Sequence, residues 1–185
     1  MAELATKPPL GWKAQAFELE GTDGRPHRLA DVQGSKGTVV MFICNHCPYV
    51  QAVIDDVCRD LRELKEQGIG AVAIMANDTA AYPVDSFDNM RHFAEAKQMP
   101  FPYVIDRTQE IARAYNAVCT PDFFGFDADL GLQYRGRIYA VRHLQREAGT
   151  RRELFDAMMQ IAHTGRGPAE QHPSVGCSIK WRRSS

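Results

Sequence analysis

The chain has 185 residues, of which 44% are hydrophobic and 24% charged, enough for one domain with a full hydrophobic core. This composition excludes wholesale disorder and fibrous architectures, and no apolar run approaches the roughly 20 residues of a membrane-spanning helix. The formal net charge is −1, and basic residues predominate from Arg135 onward without an aromatic stacking pattern, so we expect no nucleic-acid partner.

The first half of the chain has the pattern of a β-hairpin followed by a β-α-β unit. Alternating residues at 16–20 and an extended segment at 26–30 flank a glycine-containing turn, which predicts the hairpin. Continuous apolar runs at 38–43 and 70–76 predict two strands buried on both faces, as in a parallel sheet. Between them, apolar residues at helical spacing predict one helix that begins at Pro48 and stops at Gly68.

The second half of the chain alternates short helices with extended segments. The spacing of apolar residues predicts helices over 87–99, over 108–117 and after Thr150, an extended segment over 100–106, and a hairpin formed by 122–126 and 132–136. Glycines and prolines after position 165 predict an irregular segment. We therefore expect one α/β domain over residues 1–185, with its core at about 11–165 and an irregular tail at 166–185.

Cys47 is the residue with the clearest chemical signal, because it lies between a buried strand and a helix that starts with Pro48. Helix N-termini carry partial positive charge, which favours a thiolate over a thiol. Such a position lowers a cysteine pKa from about 8.5 to between roughly 3.5 and 7.5. Proline at the first helical position loses no hydrogen bond there. The sequence therefore predicts that Cys47 is a reactive thiolate, with His46 beside it to add positive charge or relay a proton.

A second thiol could come from three of the other four cysteines. Cys44 forms a Cys-x-x-Cys pair with Cys47, but three extended residues span about 10 Å, so the segment must curl before the pair can react. Cys119 precedes Thr120–Pro121, and Cys177 lies in the tail, where it could fold back over the site. We favour Cys44, because Asn45 and His46 tolerate turn conformations. The remaining cysteine, at position 58, falls on the inward face of the predicted helix and is expected to be part of the core.

These elements, in this order, resemble the thioredoxin-like fold over most of the chain. The segment 21–31 resembles the hairpin that precedes the catalytic strand in the AhpC/TSA peroxiredoxin and TlpA/ResA-like branch, and Thr120–Pro121 resembles its cis-proline loop. The motif CNHCPYV at 44–50, together with GCSIKW at 176–181, is similar to a peroxiredoxin-like family of that fold. The resemblance implies a central mixed sheet flanked by helices, with an N-terminal β-hairpin and a C-terminal tail.

The resemblance implies a thiol-disulfide oxidoreductase in which Cys47 attacks and a second thiol, Cys44, releases the product. Thr120 and Pro121 would hold a substrate strand beside Cys47 by backbone pairing. The chain departs from the thioredoxin pattern, since Val50 stands where the second active-site cysteine is expected.

Two alternatives remain open from the same residues. One is a peroxiredoxin-like thiol peroxidase with antioxidant activity, although the positions that carry threonine or serine and proline in peroxiredoxins are Cys44 and Val40 here. The other is a copper- or redox-binding module of the SCO type, in which Cys44, Cys47 and His143 hold a soft metal.

The expected partners are a disulfide- or peroxide-containing substrate and a thiol reductant. We expect no cofactor, no resident metal and no membrane partner, and the sequence leaves homodimer formation open. The first residues lack the apolar segment of a secretory signal, and the cysteine count of five is odd. These observations favour the cytoplasm and a role in cell redox homeostasis.

Overall fold

The computed structural model describes residues 2–4 and 9–183. Its strands are β1 (Ala2–Leu4), β2 (Glu18–Gly21), β3 (Pro26–Arg28), β4 (Gly37–Phe42), β5 (Ile69–Met75), β6 (Tyr103–Ile105), β7 (Cys119–Thr120), β8 (Asp122–Phe126), β9 (Leu132–Gly136), β10 (Val141–Arg142), β11 (Gln145–Arg146) and β12 (Val175–Ser178). Its helices are α1 (Leu29–Val32), α2 (Pro48–Gln51), α3 (Ile54–Glu66), α4 (Phe87–Ala96), α5 (Glu110–Ala114) and α6 (Glu153–Thr164), with a 3₁₀ turn at Pro83–Asp85. Within the described ranges, no helix is both long and apolar enough to cross a membrane.

A mixed seven-stranded sheet forms the centre, in the order β3-β2-β6-β5-β4-β8-β9. β4 runs parallel to β5 and antiparallel to β8, so the middle strand joins the β-α-β unit to the C-terminal hairpin. Both predicted hairpins are confirmed, as β2–β3 and β8–β9. The expectation of a mixed sheet flanked by helices is therefore confirmed.

Successive residues of β4 point to opposite faces of the sheet, and each face has its own core. Val39 and Met41 belong to the core beneath α3 and α6, whereas Val40 and Phe42 belong to the core on the side of α1 and α5. All six residues of β4 are buried, which explains why its sequence is a continuous apolar run and does not alternate.

The predicted single helix from Pro48 to Gly68 is wrong in one respect, because it is divided into α2 and α3. Val53 leaves helical geometry, with φ −121° and ψ −12°, and its amide donates to the carbonyl of Val50, three residues back. The apolar periodicity continues across this tight turn, so the break does not show in the sequence pattern.

The prediction of an irregular tail is also wrong, because the tail contains strand β12. β12 lies between β1 and β7 in a separate three-stranded sheet and is antiparallel to both. A Cβ atom on Gly176 would lie 2.0 Å from the carbonyl oxygen of Thr120, so only glycine permits this close approach of the two backbones. Strand pairing of this kind depends on a partner far away in the chain, which local composition does not reveal.

Candidate active site

The site is built where β4 ends and the chain turns into α2. The backbone bends at Asn45 and His46, so the segment from Cys44 to Cys47 curls, as its proposed chemistry requires. Cys47 is the residue immediately before α2, whose first position is Pro48. Cys44 and Cys47 are 1% and 0% exposed, so both are fully buried.

The loop of Thr120 and Pro121 faces the same sulfur. The peptide bond between these two residues is cis, which confirms the prediction made from the sequence. In its protonated form, the Cys47 thiol donates to the Thr120 carbonyl oxygen over 3.2 Å. The Thr120 hydroxyl lies 3.5 Å from the Cys44 sulfur, so one residue contacts both members of the Cys-x-x-Cys pair.

The C-terminal tail brings a third thiol to the site. In the register of β7 and β12, Cys177 is directly opposite Thr120, and Ser178 is opposite Cys119. Residues directly opposite in an antiparallel pair project from the same face, so Cys177 and Thr120 share one face and Cys119 projects from the other. Cys177 is thus paired with the residue whose carbonyl accepts from the Cys47 thiol, whereas the Cys119 thiol donates to the Pro121 carbonyl over 3.9 Å.

Hydrogen bonds hold the pKa of Cys47 well below that of an ordinary cysteine. The largest contribution is the hydrogen bond from Cys44, followed by those from Thr120 and Cys177 and from the backbone amide of Val50, and burial opposes them. The sequence assigned this effect to the end of a long helix. α2 has only four residues, so most of the stabilisation comes from neighbouring side chains that donate to the thiolate.

The pKa values of the two neighbouring thiols, Cys44 and Cys177, are raised instead. The hydrogen bond to Cys47, burial and the nearby carboxylate of Asp85 all raise the pKa of Cys44. Burial and the proximity of Cys47 raise the pKa of Cys177 to about 11. The geometry therefore favours one thiolate, on Cys47, with two protonated thiols that donate to it.

A buried carboxylate holds the turn that carries Cys44 and Cys47. Asp85 is fully buried and accepts hydrogen bonds from the backbone amide of Asn45 over 2.9 Å and from the side-chain amide of Asn77 over 2.8 Å. Nδ1 of His46 lies 2.7 Å from the same carboxylate. The hydroxyl of Tyr103 donates to the Asn45 side chain over 2.9 Å, which fixes the turn from the other side.

Sequence reasoning missed this network around Asp85. Its members come from three separate segments, and a carboxylate in a polar loop has no local signature that distinguishes it from a solvated one. The sequence did single out His46, which it placed beside Cys47. In the structure, His46 contacts Asp85 and stacks on Tyr82, and its Nδ1 atom lies 3.9 Å from the Cys44 sulfur.

The side chains close enough to share a metal ion have only Cys44 in common with those that the sequence suggested. Among the described residues, Cys44, His46 and Asp85 offer ligand atoms within 4.8 Å of one another. His143, the third ligand of the copper alternative, lies instead in the wall of a surface cavity that also contains Pro121. The structure therefore does not bring His143 into that cluster.

This cavity lies beside the cis-proline loop, and we name it the Pro121 groove. It has a volume of about 320 Å³, and its walls include Tyr49, Pro121, Phe123, Ile138 and Val175. Tyr49 follows Cys47 by two residues, and Pro121 follows the residue whose carbonyl accepts from the Cys47 thiol. Chain neighbours of Cys47 and Thr120 therefore form part of the wall of a mainly apolar cavity.

Several known proteins resemble this chain in sequence. The model of the AhpC/TSA family matches residues 10–136. The thiol-disulfide oxidoreductase ResA of Geobacillus thermodenitrificans is 28% identical over 118 residues, which are 64% of this chain and 63% of that protein. The chain thus spans less than two thirds of the length of this curated relative.

Solved structures match over the whole fold. A conserved protein of Geobacillus kaustophilus is 43% identical, with a TM-score of 0.94 over 100% of this chain and 98% of the other. The thioredoxin domain of a thiol-disulfide oxidoreductase from Bacteroides vulgatus is 14% identical, with a TM-score of 0.59 over 70% of this chain and 89% of that domain. At this identity the likeness shows the fold alone, and it is the thioredoxin fold.

Proposed function

Because the chain belongs to the AhpC/TSA family, we propose that its three converging thiols make it a thiol-disulfide oxidoreductase, with Cys47 as the attacking thiolate. One observation carries the proposal: three cysteines converge on Thr120. Its hydroxyl lies 3.5 Å from the Cys44 sulfur, its carbonyl oxygen lies 3.2 Å from the Cys47 sulfur, and Cys177 is its partner in the strand register. A thiolate is the nucleophile in disulfide exchange, and a second thiol within reach is what releases the product.

The reaction proceeds by two exchanges. The Cys47 thiolate attacks one sulfur of a substrate disulfide, which forms a mixed disulfide and expels the other half as a thiolate that takes up a proton from water. Cys44 then attacks the sulfur of Cys47, loses its proton and expels the second half as a thiol. The substrate disulfide gains two electrons, and the protein is left with a disulfide between Cys44 and Cys47.

The substrate is a disulfide or an oxidised thiol that approaches through the Pro121 groove, whose wall includes Tyr49, two residues after Cys47, and Pro121 of the cis-proline loop. Thr120 is a positioning residue, because its carbonyl and hydroxyl contact the sulfurs of Cys47 and Cys44. Its role in pairing with a substrate strand stays a prediction, and in the structure its antiparallel partner is Cys177 of the same chain.

A thiol reductant completes the cycle, and this role belongs to a reducing compartment such as the cytoplasm. The odd number of cysteines, five, supports that assignment, because it does not fit an extracellular disulfide framework. In such a compartment the same cycle contributes to redox homeostasis.

The decisive experiment is single-turnover exchange between the reduced protein and the small disulfide bis(2-hydroxyethyl) disulfide, followed by mass spectrometry of the protein. We expect Cys47→Ser to lower the rate on the order of 10³-fold or more, because a serine hydroxyl does not ionise at neutral pH. Cys58→Ser is the matched control, since Cys58 lies in the core on α3, and it is expected to react at the parental rate.

Hydrogen peroxide is the alternative substrate that distinguishes a thiol peroxidase from a disulfide oxidoreductase. If Cys47 consumes peroxide with dithiothreitol as reductant while the small disulfide reacts equally well with Cys47→Ser, the protein is a thiol peroxidase and the proposed exchange activity is wrong.

A further inference from the structure

The three thiols of the site differ in how far solvent reaches them. Cys44 and Cys47 are 1% and 0% exposed, so a folded protein cannot bring a sulfur atom against either of them. Cys177 is only partly buried. Disulfide exchange requires direct attack of one sulfur on another, and access is therefore one of the factors that control its rate. The accessible sulfur of this site belongs to the tail.

The tail is held in place on both sides of Cys177. Before it, the Ser174 hydroxyl donates to the Gly136 carbonyl over 2.6 Å. After it, the amide of Ile179 donates to the Val118 carbonyl over 2.9 Å, and that of Lys180 to the Asn77 side chain over 2.9 Å. The side chain of Ile179 is buried. Cys177 is therefore a built part of the site that needs no unfolding of the tail to contact Cys47.

The acidities of the two sulfurs set the direction of attack on a disulfide between them. Exchange is faster when the departing thiol has the lower pKa. The pKa of Cys47 is lowered by its hydrogen-bond donors, whereas burial and the proximity of Cys47 raise the pKa of Cys177 to about 11. Attack on the accessible Cys177 sulfur thus expels the better leaving group, the Cys47 thiolate.

We propose that Cys177 is the sulfur through which a dithiol protein re-reduces the buried pair, a role that rests on the proposed disulfide exchange at Cys47. After substrate turnover, Cys177 attacks the Cys47 sulfur, which forms the Cys47–Cys177 disulfide and returns Cys44 as a thiol with the proton that Cys177 gave up. The oxidising equivalent has then moved from a buried sulfur pair to one that the solvent reaches.

The partner completes the reduction in two steps. Its thiolate attacks the Cys177 sulfur, so that the Cys47–Cys177 bond breaks, Cys47 leaves as a thiolate and a mixed disulfide joins the partner to Cys177. The partner's second thiol then attacks the partner sulfur of that bond and releases Cys177 as a thiol, which takes the proton of the attacking group. The dithiol becomes a disulfide, and the site gains two electrons.

Substrate and reductant therefore use different approaches. The substrate reaches Cys47 from the Pro121 groove, while the reductant meets Cys177 on the outer side of the tail. A small disulfide fits the groove, whereas a folded dithiol protein does not need to enter it.

The role of Cys177 is tested by trapping the mixed disulfide between this protein and its reductant. A thioredoxin variant that lacks its second active-site cysteine is mixed with the protein oxidised by diamide, and the mixed disulfide that accumulates is mapped by peptide mass spectrometry. We expect the thioredoxin variant to be bound to Cys177. Capture on Cys44 or Cys47, or no capture, overturns the proposal.

A rate measurement complements the trap. Unmodified thioredoxin, kept reduced by its reductase, is expected to reduce the oxidised Cys177→Ser variant at least about tenfold more slowly than the parent, because the accessible sulfur is absent. Cys58→Ser is the control for loss of a thiol, and circular dichroism checks that both variants are folded. Reduction of Cys177→Ser at the parental rate would overturn the proposal.

The two proposals fail in different ways. If the trap and the rate measurement show no role for Cys177 while the parent still exchanges the small disulfide at Cys47, only the role of the tail is rejected. If Cys47→Ser exchanges the small disulfide at the parental rate, the proposed function itself is rejected.

Discussion

Cys47 and Cys58 are both buried cysteines close to the start of a helix, yet the pKa of Cys47 is lowered and that of Cys58 is raised. They are 0% and 4% exposed, so burial does not distinguish them. Cys58 faces an apolar core on α3, and its burial raises its pKa to about 11. The pKa of Cys47 is lowered, because three side chains and a backbone amide hydrogen-bond to its sulfur.

This comparison indicates that hydrogen-bond donors, and not depth, determine whether the pKa of a buried thiol in this protein is lowered or raised. A low-dielectric surrounding disfavours a charge unless groups that donate to it are already in place. Around Cys47 such groups come from the strand end, the cis-proline loop and the tail. Around Cys58 no hydrogen bond to the thiol contributes, and burial outweighs the nearby charges of Arg62 and Lys97.

The largest expected difference between the two cysteines is the presence of a thiolate at neutral pH. Ultraviolet absorbance of the thiolate in the reduced parent should titrate well below the ordinary cysteine pKa of about 8.5. Cys47→Ser is expected to abolish this low-pH signal, and Cys58→Ser to leave it unchanged. A signal that persists in Cys47→Ser would show that another thiol carries the charge.

A smaller effect is expected when the main donor is removed. In Cys44→Ala the thiolate of Cys47 loses one hydrogen bond to a charged group, which is worth about 1.5–3 kcal/mol. The pKa of Cys47 should therefore rise by about 1–2 units in the same absorbance titration. Cys44→Ser keeps a hydroxyl donor and should recover part of the shift, while Cys58→Ala should produce none. An unchanged pKa in Cys44→Ala would rule out Cys44 as the principal donor.

The two cysteines should also differ in how their contributions to stability depend on pH. The folded pKa of Cys47 lies below its unfolded value, so its contribution is fully present above about pH 8.5 and is lost as the pH falls toward the folded pKa. The folded pKa of Cys58 lies above its unfolded value, so its contribution is present below about pH 8.5 and is lost as the pH rises through the folded pKa.

Urea unfolding of the reduced proteins measures both trends. The difference in unfolding free energy between parent and Cys47→Ala should increase with pH from about 6 to about 8.5, by at most about 1.4 kcal/mol per pH unit. The difference between parent and Cys58→Ala should stay level over that interval and decrease above it. Parallel curves for the two variants would contradict the contrast between the two sites.

Much of the local backbone structure of the site can be predicted from the sequence. The apolar run of β4, the proline after Cys47 and the turn-prone Asn45 and His46 are local features, and they predict a curled cysteine pair between a strand and a helix. Thr120–Pro121 was recognised through a resemblance, and its cis bond is confirmed. These predictions succeed because the physical cause of each lies within a few residues of the chain.

Other features had no local cause, and only the tertiary structure decided them. The predicted helix is divided into α2 and α3, so the helix that follows Cys47 is short. The pKa of Cys47 is therefore lowered mainly by neighbouring side chains and not by the end of a long helix. The buried carboxylate of Asp85 became part of the site because a distant 3₁₀ turn packs under Asn45 and His46. Periodicity and motif spacing contain no information about such contacts.

The tail shows this limit most clearly. The sequence offered Cys119 and Cys177 as equally open candidates for a further thiol, and it predicted no strand after position 165. A single register, with Cys177 opposite Thr120, places one of them against Cys47 and turns the other away. That register depends on a glycine which allows two backbones to meet and on hydrogen bonds between segments more than 50 residues apart. The sequence by itself predicted Cys47 as the attacking thiol, and long-range pairing decided which thiols surround it.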